Sequence, residues 1–297
     1  MRHLFSALFA AASVTLALPA LAVPEIEISY DTPGFQNREI AIGKVKVSVS
    51  YDKDNNEAVN EENNLRYTLY YDGKEKVRET ASTYNHGNIS LRDLDSNGTP
   101  EVIVETYTGG AHCCTAQTVY TVQGNNFSSV QLGPADGGGG EFKDLNQDGR
   151  MEFITYDNNF LYTFDAYAGS FPPSIVLSYR DGDFEDVTRQ YPEYLRSIAW
   201  QMYKSMEENG AGNGVLAGYV AQKILLGEFE DGWDFMLARY DRSNDWGLDI
   251  YDSKNEPVGR HPDFPTALKA FLMDTGYLNR NGQPNANLNL RDRVIGD

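Results

Sequence analysis

Asp93-Leu94-Asp95-Ser96-Asn97-Gly98-Thr99-Pro100-Glu101 runs directly into Val102-Ile103-Val104, and its spacing returns as Asp144-Leu145-Asn146-Gln147-Asp148-Gly149-Arg150-Met151-Glu152 before Phe153-Ile154. Each copy carries oxygen-bearing side chains at positions one, three, five and nine and a glycine at position six, where a sharp turn needs it. A short β-type run follows each loop, so the loops are expected to connect strands. Outward from them the period stays at two. Val45, Val47, Val49 and Tyr51 alternate with polar neighbours, which puts one face inward and one in water. Similar runs occur at 66–71, 102–108, 117–123, 127–132, 151–156 and 176–179, with Asp72-Gly73, Gly124-Asn125 and Asp181-Gly182 beside them as hairpin turns. Many short strands with close turns predict antiparallel sheets, whether propeller-blade-like or sandwiched. The Asn/Asp/Glu-rich stretch 52–64 is expected to be an exposed loop.

After Tyr191 the period changes to that of helices. Pro192 suits a first turn, and Leu195, Ile198, Met202 and Met206 share one face up to Asn209-Gly210. Further helices are predicted around Leu216–Ile224, Phe229–Tyr240 and Asp263–Asp274, and the Asn-rich tail from Asn279 is expected to fray. The fold class is therefore α+β, with a β-rich region over 23–190 and a small helical region over 191–297.

The acidic loops point to a hard cation. Ca²⁺ takes about 6–8 oxygen ligands, and Asp93, Asp95, Asn97 and Glu101 could converge on one ion with the carbonyl of Thr99. Asp144, Asn146, Asp148 and Glu152 could do the same with the carbonyl of Arg150. The alternative is a pair of Asx turns whose carboxylates bond their own backbone amides. An EF-hand is disfavoured, because strands flank the loops and position twelve is Val104 or Thr155. On these residues the chain resembles the calcium-loop repeats of the FG-GAP and VCBS type found in integrin-like β-propellers. That resemblance implies ligand roles for positions one, three, five and nine of each loop, and a structural ion. The chain departs from the family pattern in having two copies, Glu at position nine and no Phe-Gly-Gly-Ala-Pro element.

Both cysteines lie in Gly109-Gly110-Ala111-His112-Cys113-Cys114-Thr115. In an oxidising compartment Cys113 and Cys114 could form a vicinal disulfide, bridge two chains or remain free thiols. The segment is read as a rigid turn between strands, a ligand platform with His112 contributing, or a redox or metal element.

Arg2 and His3 precede an apolar run from Leu4 to Leu18 and a small-residue ending, Pro19-Ala20-Leu21-Ala22. Residues 1–22 are thus expected to be a secretory signal peptide, and the chain from Val23 onward to be periplasmic or secreted. No later stretch is long and apolar enough to span a bilayer. The chain of 297 residues holds 43 acidic against 25 basic residues, for a formal charge of −18, which argues against nucleic acid as a partner.

No His-Glu-x-x-His, Gly-x-Ser-x-Gly or Gly-Lys-Ser/Thr element occurs. The sequence therefore points to an exported, non-enzymatic binding or scaffold protein, its β region stabilised by Ca²⁺ and its partner an unidentified protein or glycan. The alternatives are an extracellular hydrolase of glycans or peptides, and a redox or ligand-binding protein using Cys113-Cys114.

Overall fold

The computed structural model describes residues 23–53, 63–110 and 112–295. The expected signal peptide and most of the acidic stretch 52–64 lie outside them. Strand β1 (Glu25–Ile28) opens the chain. A four-stranded meander follows: β2 (Phe35–Ile42), β3 (Val45–Tyr51), β4 (Leu65–Tyr71) and β5 (Lys74–Ala81). The chain then builds β6 (Gly87–Arg92), β7 (Glu101–Tyr107), β8 (Cys113–Gln123) and β9 (Asn126–Asp136). These join β1 in a five-stranded sheet of order β1-β6-β7-β8-β9. A third sheet, β10 (Glu141–Lys143), β11 (Glu152–Tyr156), β12 (Ser174–Arg180) and β13 (Asp183–Asp186), completes the N-terminal part. All the pairings within these three sheets are antiparallel.

The five-stranded sheet is the middle layer. Ile89, Leu91, Val102, Val104 and Tyr120 leave one of its faces to pack against Val45, Val47, Val49, Leu65 and Leu69 of the meander. Ile103, Val119 and Leu132 leave the other, toward the third sheet and the helices. A strand covered on both faces has no polar side, which is why Val102-Ile103-Val104 is apolar without interruption. β5 is exposed along most of its length, as an edge strand of charged residues should be. Asp72 and Gly73, at φ of 51° and 74°, make the tight turn into it.

One polar contact ties the first two layers. The buried hydroxyls of Tyr67 on β4 and Tyr120 on β8 are 2.9 Å apart. Tyr67→Phe is expected to cost about 1–2 kcal/mol in urea unfolding, because the Tyr120 hydroxyl is left buried without its partner. Adding Tyr120→Phe should then cost less than the two single changes together, since no orphan remains.

The helical part is α1 (Pro192–Asn209), α2 (Asn213–Leu225), α3 (Phe229–Leu237) and α4 (Phe264–Asp274), with an exposed hairpin, β14 (Asp249–Tyr251) and β15 (Pro257–Arg260), between the last two. Leu195, Met202 and Met206 are buried from α1, as their spacing predicts. Gly210 ends that helix at φ of 90°. Asp263 caps α4 by accepting from the Thr266 amide. Helix and sheet are joined through Gln222, which is fully buried. Its Oε1 accepts from the Ser174 amide of β12 at 2.9 Å, and its Nε2 donates to the Leu195 carbonyl of α1 at 3.0 Å. No helix among the described residues is long and apolar enough to cross a membrane.

The sheets stack as layers, the chain returning after the meander so that β6 pairs with β1; of the two arrangements the sequence leaves open this is the sandwiched one, and no propeller ring closes among the described residues. One expectation is corrected. The tail through Ile295 is packed. Leu290 and Val294 are buried, Gly133 donates its amide to the Val294 carbonyl, and Ile295 bridges to Leu132.

Candidate functional site

The two acidic loops fold alike because their local chemistry is alike. Each closes an antiparallel hairpin at the same register, with Arg92 opposite Glu101 and Lys143 opposite Glu152. Position four is left-handed in both, Ser96 at φ of 59° and Gln147 at 62°, and so is the glycine at position six, Gly98 at 86° and Gly149 at 89°. Asp93 accepts from the amides of Asn97 and Gly98, and Asp144 from those of Asp148 and Gly149. Position three, Asp95 or Asn146, accepts from the amide of position five. Position five, Asn97 or Asp148, accepts from the amides of Thr99 and Arg150. At position nine, Glu101 and Glu152 are only 1% and 2% exposed and turn back to accept from the amides of Leu94 and Leu145, at 2.9 and 3.1 Å.

Their electrostatics differ. Carboxylate oxygens of Asp93, Asp95 and Glu101 lie within 4.8 Å of one another. Burial pushes the Glu101 carboxyl up to about 7 against the pull of the Leu94 amide, and the neighbouring Asp95 and Asp93 add to the rise. In the second loop the Asn146 amide spends a proton on Asp148 at 3.0 Å. The Arg150 amide, followed by Asn146, holds the Asp148 carboxyl below the usual range. Among the described residues, Asp144, Asp148 and Glu152 form no matching three-carboxylate group. A tyrosine from a distant segment faces each buried glutamate. Tyr179 of β12 donates to Glu101 at 3.4 Å, and Tyr191 lies against Glu152. Burial, helped by these carboxylates, raises both phenols.

The loops also touch. Met151 donates its amide to the Leu94 carbonyl at 2.8 Å, and the Ser96 hydroxyl donates to the Gly149 carbonyl. Their spacing in sequence does not reveal this contact; the buried Leu94, an apolar residue inside an acidic run, is its one local trace.

The cysteine segment forms a separate group. Cys113 and Cys114 open β8 with their sulfur atoms against each other. The His112 ring stacks on Tyr167 with centroids 4.1 Å apart, and Tyr162 stands edge-on to it at 6.5 Å. Neither tyrosine was singled out by motif, since both belong to the irregular segment between β11 and β12.

A sequence model of the family described as the sll0997 C-terminal domain matches residues 185–276. "Probable thylakoid lumen protein sll0997" of Synechocystis sp. is 37% identical over 204 residues, which are 64% of this chain and 60% of that protein. "Uncharacterized protein y4bJ" of Sinorhizobium fredii is 36% identical over 193 residues, 60% of this chain and 30% of that protein. The chain thus spans less than two thirds of the length of either curated relative. No solved structure matches. These matches correct the likeness to FG-GAP and VCBS repeats: the chain's similarity lies with the sll0997 proteins, and the shared loop spacing reflects a local Asx-Gly geometry that unrelated hairpins can adopt.

Proposed function

We propose that this chain is an exported binding or scaffold module in which the first acidic loop, and more weakly the second, takes up Ca²⁺ as a structural ion. The observation that carries the calcium claim is the convergence of Asp93, Asp95 and Glu101 within 4.8 Å on a turn already shaped by its own amides. An all-oxygen donor set of this kind suits a hard cation. The ion would hold the hairpin between β6 and β7 and, through the Ser96 and Leu94 contacts, the neighbouring loop. The aspartates are engaged by their own backbone amides, which favours a holding role over proton transfer. Export is supported by the leading apolar run and by the name of the Synechocystis relative. Cys113 and Cys114 are read as an oxidised pair, the form such a compartment favours.

Calorimetric titration tests the calcium claim. Dissociation constants on the order of 10⁻⁴–10⁻³ M are expected, as for extracellular modules. At a hundredfold excess over that constant the ion should add about 2.7 kcal/mol to stability. Asp93→Ala should abolish the tighter event and Asp144→Ala should leave it. A flat titration of the unaltered protein would sink the proposal.

A further inference from the structure

A cavity of about 420 Å³ opens between the glycine run 138–140, β11 and α1, a size within the range of small-molecule sites. Tyr156 of β11, Phe171 of the segment before β12 and Tyr194 of α1 line it, each half-buried. Ile154 and Ile198 add apolar wall. The glycine run brings backbone to the cavity and no side chain. Glycine is required there, because a Cβ at Gly139, where φ is 77°, would lie 2.8 Å from Thr115 and one at Gly140 would strike the Phe153 ring.

The polar groups of the wall are already engaged. The Tyr156 hydroxyl donates to the Asp136 carbonyl at 2.7 Å, and the Thr155 hydroxyl to the Gly139 carbonyl at 2.6 Å. Ser174 is the side-chain partner of the Tyr194 hydroxyl, and the Gly140 amide donates to the Gly138 carbonyl at 2.9 Å. A ligand rich in hydroxyl groups would give up its bonds to water and find few donors in return. Glu141, exposed at the rim, is the one charged residue of the lining. Burial raises the Tyr194 phenol, the Ser174 contact pulls it down, and the Glu141 carboxylate adds to the rise, which sets that carboxylate near the ring. The occupant that fits therefore buries apolar surface, carries positive charge and asks for no hydrogen bond. A quaternary ammonium does all three: its surface is methyl groups, its charge is permanent, and it has no N–H to satisfy. Aromatic rings attract such a cation, most strongly where water is excluded.

We infer that this cavity binds a quaternary ammonium group of the choline type, held among Tyr156, Phe171 and Tyr194 with Glu141 as its countercharge. The inference is independent of the calcium reading, because the lining contains no residue of either acidic loop.

The test is calorimetric titration in excess chelator, so that the acidic loops hold no metal, with choline and tetramethylammonium as probes. Saturable binding of both is expected. 3,3-Dimethyl-1-butanol, which has the shape of choline without its charge, and ethanolamine, which keeps a cation but lacks the methyl groups, should each bind at least about tenfold more weakly than choline. Tyr194→Leu and Phe171→Leu should each weaken choline. Should either fail to fold, Glu141→Gln, a change at an exposed side chain, should still weaken choline several-fold and leave the neutral alcohol unchanged. Capture by phosphatidylcholine vesicles, competed by choline, would place the bound group on a lipid headgroup, and its absence on a free solute; both carry the inferred group. No saturable heat with choline or tetramethylammonium in the folded protein overturns the inference. So does equal binding of the neutral alcohol or of ethanolamine.

Discussion

Arg293→Met is expected to lower the unfolding free energy by about 3–5 kcal/mol, the cost of stranding a buried charge by removing its partner. Asp157, just after β11, has a side chain with no exposure at all. Arg293 donates one nitrogen to its Oδ2 and the other to the Thr275 carbonyl, and the Tyr277 hydroxyl donates to the same Oδ2 at 3.0 Å. Burial first, and Asp157 second, raise the Tyr277 phenol well above its ordinary value, which keeps its proton in place for that bond. Methionine preserves most of the aliphatic packing and removes only the cation, leaving Asp157 neutral donors, the Tyr277 hydroxyl on Oδ2 and the backbone and side-chain amides of Asn159 on Oδ1, in place of a countercharge. Urea unfolding followed by circular dichroism measures the loss. Adding Asp157→Asn should recover part of it, because the stranded charge is then gone. A loss below about 1 kcal/mol for Arg293→Met would show that the pair adds little beyond its desolvation cost.

This pair also marks where the sequence stopped being legible. The Asn-rich tail reads as a fraying end, yet its asparagines make turns. Asn279 accepts from the amides of Asn281 and Gln283, Asn285 from Asn287, and Asn289 from Arg291. The same composition serves an ordered chain once Leu290 and Val294 find a core and Arg293 finds Asp157. Strands with a buried alternating face, such as β3 and β4, were readable because their period is set by burial. β2 and β10 were not. Their residues are mostly exposed and hold their place by pairing with β3 and β11, and single-sequence periodicity carries no record of a partner.

The candidate sites divide the same way. Loop geometry at 93–101 and 144–152 follows from local Asx and glycine chemistry, the turn that the sequence offers as the alternative to ligation of a cation. The contact between the loops depends on how distant strands pair. The loop motif suggested a family that the relatives do not support, since its geometry is satisfied within nine residues and constrains nothing beyond them.

Gly218→Val should cost about 3 kcal/mol or more, at the upper end of what overpacking a core does. Helix propensity alone predicts the opposite sign for the milder Gly218→Ala, a gain of about 1 kcal/mol. Packing decides. A Cβ at Gly218, inside α2, would meet the carbonyl oxygen of Phe171, with the carbonyl carbon 2.9 Å away. That oxygen belongs to backbone leading into Pro172 and Pro173, whose fixed φ limits how far it can swing. One turn earlier a Cβ at Gly214 would strike the Gly169 carbonyl. Gly214 and Gly218 therefore form one bare stripe of α2 on which the segment before β12 lies. Pushing the helix off it would also pull Gln222 away from the Ser174 amide and the Leu195 carbonyl, breaking the link between sheet and helices. The check is the urea midpoint of both variants at unchanged slope. A midpoint that rises for Gly218→Ala would mean the helix can move away from Phe171 at little cost, and the close approach would then be incidental.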